Sequence, residues 1–242
     1  HSKRDVIYAN AIQTGIKLIG PNNVIRNSEL QYAASQCIWI GENGVVENNL
    51  ISNIGYDGNF GAGVTPWDNT GGQVIKYNTI YRTGRSSIDF GYNRYPTAMH
   101  HNVEIAFNDL YHFGMLNLDV GAIYAARGVN LEGTRVHHNW IHDSKVYLGN
   151  GIQTGIYWDQ GAGPTTCDHN VLWNNVQTDV FTHPNSSISN RPVNHGPSFY
   201  YNNVFATKRT STSNGYSYKS SNETPIDVQR NNIYCEGIIV AL

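Results

Sequence analysis

Apolar and polar residues recur along this chain in one short pattern. A strand-like apolar stretch runs into a polar corner, usually Asn, and an apolar residue follows two positions later. The segments are VIYANAI (6–12), VIRNSEL (24–30), VVENNLI (45–51), VIKYNTI (74–80), VEIAFNDL (103–110), RVHHNWI (135–141), TCDHNVL (166–172), FYYNNVF (199–205) and VQRNNIY (228–234). The corner residues read as Asn10, Ser28, Asn49, Asn78, Asn108, Asn139, Asn170, Asn202 and Asn231. By subtraction their spacings are 18, 21, 29, 30, 31, 31, 32 and 29 residues. Self-similarity at a nearly fixed period is the signature of a stacked-repeat architecture. One apolar strand per repeat cannot bury itself, but identical strands stacked on one another share a core. Parallel strands so stacked lie about 4.8 Å apart. An Asn at the same bend of every coil then meets its copies above and below, and its amide both donates and accepts, as a polar ladder requires.

A second strand-like run lies between the corners: GIKLI (15–19), CIWI (37–40), AGVT (62–65), SIDF (87–90), AIYA (122–125), GIYW (155–158) and DVFT (179–182). Side chains alternate across a strand. With Ile16, Ile38, Ile88, Ile123, Ile156 and Val180 inward, the next residues (Lys17, Trp39, Asp89, Tyr124, Tyr157 and Phe181) face outward in a row. The expected fold is therefore all-β: a right-handed parallel β-helix of about eight to nine coils with an Asn ladder, in a single domain over 1–242. The corner-to-strand distance grows from 10 residues after Asn78 to 15 after Asn108 and 17 after Asn139. Insertions on a rigid scaffold usually build a binding site, so the coils near 85–165 are where function is expected.

Composition narrows the class. Only 14% of residues are charged and the net charge is −2, which argues against nucleic acid as a partner. With 40% apolar residues the chain can fill a core rather than remain disordered. No apolar run approaches about 18 residues, so no membrane-spanning helix is expected. The start, His1-Ser2-Lys3-Arg4-Asp5, is not a signal peptide, and the apolar end Ile238–Leu242 lacks the polar cap of a solenoid. A longer or processed chain is the expectation. Cys37, Cys167 and Cys235 are too few and too far apart for a disulfide framework and read as buried free thiols.

The thickened coils hold three acids beside the outward aromatic row: Asp89 in SIDFGYN, Asp119 in NLDVGAIY and Asp159 in GIYWDQGAG. Paired carboxyls can serve glycoside hydrolysis, at separations of about 5–5.5 Å for retention or 6.5–9.5 Å for inversion. Tyr124, Tyr157 and Trp158 stand beside them as surfaces for sugar rings, with Arg127 as a nearby cation. His112, His142 and His183 fall where loops begin and join the candidates, whereas His137, His138 and His169 precede ladder residues and read as structural. Spacing for a zinc site is absent, so no metal is assigned and no cofactor is expected, with Ca²⁺ the one ion that loop acids and Asn carbonyls would suit.

The Asn-ladder repeat resembles the pectate-lyase-like right-handed β-helix superfamily. Asp119-Val-Gly-Ala-Ile-Tyr124, Gly133-Thr-Arg-Val-His-His-Asn-Trp-Ile-His-Asp143 and Gly155-Ile-Tyr-Trp-Asp159 resemble a D-x-G-[AG]-I-Y, N-x-[IF]-H-D, G-I-Y-x-D run of secreted bacterial β-helix glycoside hydrolases. That resemblance implies a secreted or cell-surface enzyme of plant or algal polysaccharides, with Asp119 and Asp159 as its acid/base pair. Two alternatives stand beside it. One is a polysaccharide lyase or uronate epimerase, with Arg85, Arg94, Arg127 and His112 as cleft groups. The other is a non-catalytic carbohydrate-binding or adhesive β-helix. The partner in each case is a polysaccharide or oligosaccharide, and the oligomeric state is left open.

Overall fold

A computed structural model describes residues 15–91, 99–126, 128–145, 147, 151–183, 197–207, 216–218 (backbone only) and 227–235. Among these the chain is all-β, with no helix and three parallel sheets of eight strands each. Successive strands visit the three sheets in turn, so each strand pairs with the strand three further along the chain. This is a parallel β-solenoid, the fold class that the repeat and the resemblance both implied.

The count of eight to nine coils is not supported at that number. Five turns pass through all three sheets without leaving the described residues: 24–40, 45–66, 74–89, 104–125 and 163–182. The others are interrupted, and Asn10, the first expected mark, lies outside the described residues.

One column of apolar side chains per sheet fills the interior. In the first sheet Ile16, Ile38, Val64, Ile88, Ile123, Ile156 and Val180 align in register. In the second the column is Ile25, Val46, Ile75, Ile105, Val136, Cys167 and Tyr200. In the third it is Leu30, Ile51, Ile80, Leu110, Ile141, Leu172 and Phe205. Cys37 and Cys167 are buried free thiols and burial pushes both up to about 12, while Cys235 is only half-buried.

The corner between the second and third sheets takes two residues. The first has a left-handed backbone (Asn27, Asn48, Tyr77, Phe107, His138, His169, Asn202 and Asn231, with φ of 52–56°), and the second carries the ladder. The ladder therefore runs Ser28, Asn49, Asn78, Asn108, Asn139, Asn170, Asn203 and Asn232. Each Asn side-chain oxygen accepts from the backbone N–H of the preceding ladder residue at 2.9–3.0 Å. Two expected marks are thus displaced by one residue. Asn202 and Asn231 are the left-handed residues, a conformation Asn tolerates better than most side chains, and their neighbours Asn203 and Asn232 form the rungs.

Candidate functional site

The three longest strands, Asp119–Ala125, Asn130–His137 and Ile152–Trp158, lie in the thickened coils. On the first sheet Asp89, Tyr124, Tyr157 and Phe181 align in register on successive strands, which is the outward row expected from alternation. That row is covered rather than exposed. Tyr124, Tyr157 and Phe181 are buried and pack with Ala126 and Ile152 in a cluster separate from the main core. Burying a Tyr ring obliges its hydroxyl to find a partner, and here the partners are carboxyls.

Asp159 directly follows the strand Ile152–Trp158 and is 4% exposed. Its Oδ2 accepts from the Tyr124 hydroxyl at 3.0 Å, and its Oδ1 lies 2.9 Å from Nδ1 of His183. Asp119 opens the neighbouring strand and is half-buried; its Oδ1 is sealed from solvent with no partner among the described residues. Burial and the charge of Asp159 hold the Asp119 carboxyl above the ordinary carboxylate range, against the pull of Arg85, Tyr157 and His183. The Tyr157 hydroxyl interacts with both carboxyls, and burial plus these two negative neighbours keep it protonated far into the alkaline range. Tyr124 is shifted upward by burial and by Asp159 in the same way.

Arg85 supplies the positive charge. It is buried, paired through Nη1 with Asp89, and its guanidinium lies 4.1 Å from the Phe60 ring centroid and 4.4 Å from that of Tyr124. Its Nη2 donates to the Asp119 backbone carbonyl at 3.4 Å. Asp89 is accordingly the counter-ion of Arg85 and also accepts from the Gly91 N–H at 2.9 Å, so it is bound up in support rather than free for substrate.

The cluster brings together Asp119, Asp159, Tyr124, Tyr157, His183 and, through Arg85, Asp89. Three expected members fall elsewhere. Trp158 points into the main core against Phe90, as alternation from Ile156 requires. His112 and His142 belong to the third sheet and the corner after it. His142 sits between Asp109 (2.9 Å) and Asp143 (2.7 Å) and stacks on Tyr111 and Trp173. Its burial would lower its pKa, but the bonds to Asp109 and Asp143 outweigh that and raise it. His112 packs edge-on against Tyr111, and burial lowers its pKa. Both lie at the start of a loop, but of the loop leaving the third sheet. Arg127 lies outside the described residues. Phe60 was not foreseen, because nothing in the loop Tyr56–Phe60 marks it as a cover for a cation one coil on.

Among the described residues the ligand atoms of His138, Asp168 and His169 approach one another as a potential metal-binding group, away from this cluster at the corner between the second and third sheets. No helix among the described residues is long and apolar enough to cross a membrane.

No family model matches the chain, and no curated protein does. Among solved structures an alginate lyase from Paenibacillus sp. str. FPU-7 is similar. The match has 12% identity and a TM-score of 0.40, and covers 90% of this chain and 84% of that one. A likeness at this level carries no weight for activity.

Proposed function

We propose that this chain is a polysaccharide-cleaving enzyme that works by β-elimination beside a uronic-acid residue, at the Asp119–Tyr157–Asp159–His183 cluster. One observation carries the choice of elimination over hydrolysis. Both oxygens of the buried Asp159 are occupied, one by Tyr124 and one by His183. A carboxylate so engaged is a poor base for water, but it is well placed to orient an imidazole. It fixes the Nδ1 side of His183, and Nε2 has no hydrogen-bond partner among the described residues. A base held this way by a third group is the usual arrangement for proton abstraction.

The steps balance as follows. His183 Nε2 removes the proton at C5 of the uronate, and the electron pair left behind forms the C4–C5 double bond. The C4–O4 bond breaks, and O4 takes a proton from the Tyr157 hydroxyl. Burial and the two neighbouring carboxyls keep Tyr157 protonated at the start of the step. The Asp119 carboxyl, held toward its protonated form, donates a hydrogen bond to the uronate carboxylate, and Arg85 adds positive charge behind it. A substrate of this kind belongs outside the cell or on its surface.

A second reading is hydrolysis with Asp119 as general acid and Asp159 as base. What favours it is that Asp119 keeps one oxygen without a partner among the described residues and is shifted upward by burial beside a second acid, and divergent carboxyl environments mark acid/base pairs.

The test is to incubate the protein with a panel of uronate-containing polysaccharides and follow ultraviolet absorbance and reducing ends together. Elimination yields an unsaturated product that absorbs. His183→Ala should lose about 10²–10⁴-fold of the rate, and Tyr157→Phe should be similarly impaired. Reducing ends without absorbance, abolished by Asp119→Asn, would replace elimination by hydrolysis. Neither signal on any substrate would leave a carbohydrate-binding β-helix.

A further inference from the structure

The corner that carries the ladder also stacks side chains on its outer side. Tyr77, Phe107, His138 and His169 occupy the same left-handed position on successive coils. Their rings stack at centroid distances of 5.1, 4.9 and 4.9 Å. Any flat ring satisfies such a column, and the first two members are plain aromatics. The next two are imidazoles, nearly parallel at 7° and both exposed. They bring nitrogen donors to the surface where the column passes a carboxylate.

That carboxylate is Asp168. It is buried and doubly held by Arg135, whose Nε and Nη2 each donate at 2.7 Å. Its Oδ2 also lies 2.8 Å from Nδ1 of His169. Among the described residues Oδ1 accepts only from Arg135, so a second lone pair on that oxygen is left for an ion. The Nε2 of His169 accepts from the Asn202 side-chain amide at 3.4 Å, a long bond that an ion would displace. His138 is fixed in turn by His137, their Nδ1 atoms 3.0 Å apart. One ligand atom from each of His138, Asp168 and His169 lies within 4.8 Å of the others.

We propose that His138, His169 and Asp168 form a surface site for a divalent transition-metal ion, with Zn²⁺ the best match, that clips two successive coils together. Imidazole nitrogens with one carboxylate suit Zn²⁺, whereas Ca²⁺ wants six to eight oxygens. A common ion requires the two exposed rings to turn out of their parallel stack, and the remaining coordination positions are left to water. The site is independent of the polysaccharide chemistry on the first sheet.

The experiment is calorimetric titration of the intact chain with Zn²⁺, with Ca²⁺ and Mg²⁺ as controls, on the native protein and on His138→Asn and His169→Asn. Asn tolerates the left-handed backbone of these positions (φ 54° at each), so both variants should fold, as circular dichroism would verify. Expected is one Zn²⁺ equivalent lost, or bound at least about tenfold more weakly, in each variant, together with a Zn²⁺-dependent rise in Tm that only the native chain shows. The proposal is overturned if native and variant chains take up the same number of Zn²⁺ ions with the same affinity. It is equally overturned if the native chain binds none, or if Ca²⁺ binds there in preference.

Discussion

Replacing Asn139 by Ala should test whether the ladder holds the coils together or merely occupies their corner. Asn139 is fully buried in mid-solenoid. Its Nδ2 donates to the Ile105 carbonyl at 2.9 Å, to Asn170 Oδ1 at 2.9 Å and to the His137 carbonyl at 3.0 Å. Its Oδ1 accepts from the Asn108 backbone N–H and side-chain amide, both at 3.0 Å. The Asn108 amide keeps its bond to the Ile75 carbonyl, and Asn170 Oδ1 keeps the Asn139 backbone N–H. One group has no such fallback: the Asn108 N–H, buried beneath the next coil, whereas the Ile105 carbonyl stays within the paired strand Glu104–Ala106. An orphaned buried polar group costs about 1–3 kcal/mol. The expected loss is therefore about 1–3 kcal/mol, a sizeable share of the roughly 5–15 kcal/mol that holds a typical domain. Water admitted to the vacated space would bring it toward the lower figure. Urea unfolding followed by far-ultraviolet circular dichroism, with the m-value held in common, reads the difference. A loss below about 1 kcal/mol would refute the reasoning and reduce the ladder to a corner lining.

Two further outcomes follow from the same geometry. Asn203→Ala should cost as much as a central rung, because Asn203 is buried and bonded to Asn170, Asn232 and the Cys167 carbonyl, whereas Asn202→Gly should stay within about 0.5 kcal/mol since Gly accepts φ of 54°; equal losses by urea midpoint would return the rung to Asn202. Burial pushes Asp179 from its ordinary 3.8 to about 7 despite bonds from Thr207 and Asn175, so the folded chain keeps a proton that the unfolded chain releases, and stability should fall as pH rises between these values. Asp179→Asn should flatten that stretch of a pH series of unfolding midpoints, and an unchanged slope would assign it to other groups.

The solenoid was legible because its decisive interactions repeat. A corner of fixed length returns the chain to an equivalent place in every coil, so apolar columns and rungs appear in the text as period and register. The two misplaced rungs are instructive. In Asn202-Asn203 and Asn231-Asn232 both residues of the corner are Asn, one for its tolerance of a left-handed backbone and one for its amide, and residue type alone does not separate them. Counting from the start of a three-residue preceding strand does, since the rung is the fifth residue from Val74, Glu104, Phe199 and Val228 alike. Trp158 was also decidable: two residues after the inward Ile156 it had to turn inward. The histidines were less so. Loop length shows where a coil thickens, but a residue at the start of a loop can belong to either bordering sheet, and His142 belongs to the third while His183 belongs to the first.

The roles of the acids lay furthest from the text, for a physical reason. A carboxyl acts as acid, base or support according to its hydrogen-bond partners, and in a solenoid those partners come from the neighbouring coil. Asp159 meets His183 and Tyr124 at sequence separations of 24 and 35 residues. No local pattern around Asp159-Gln160-Gly161 announces either. Read by type, Asp119 and Asp159 are two equivalent carboxylates and suggest hydrolysis. Read by partner, they differ: Asp119 retains an unpaired oxygen, while Asp159 has both oxygens committed. On the elimination proposed above, that difference moves the reactive atom from the second carboxyl to the imidazole it holds. His183→Ala should therefore impair turnover at least as much as Asp159→Asn, because Asn retains an oxygen that can still hold His183 Nδ1. If Asp159 were the base, the order would reverse.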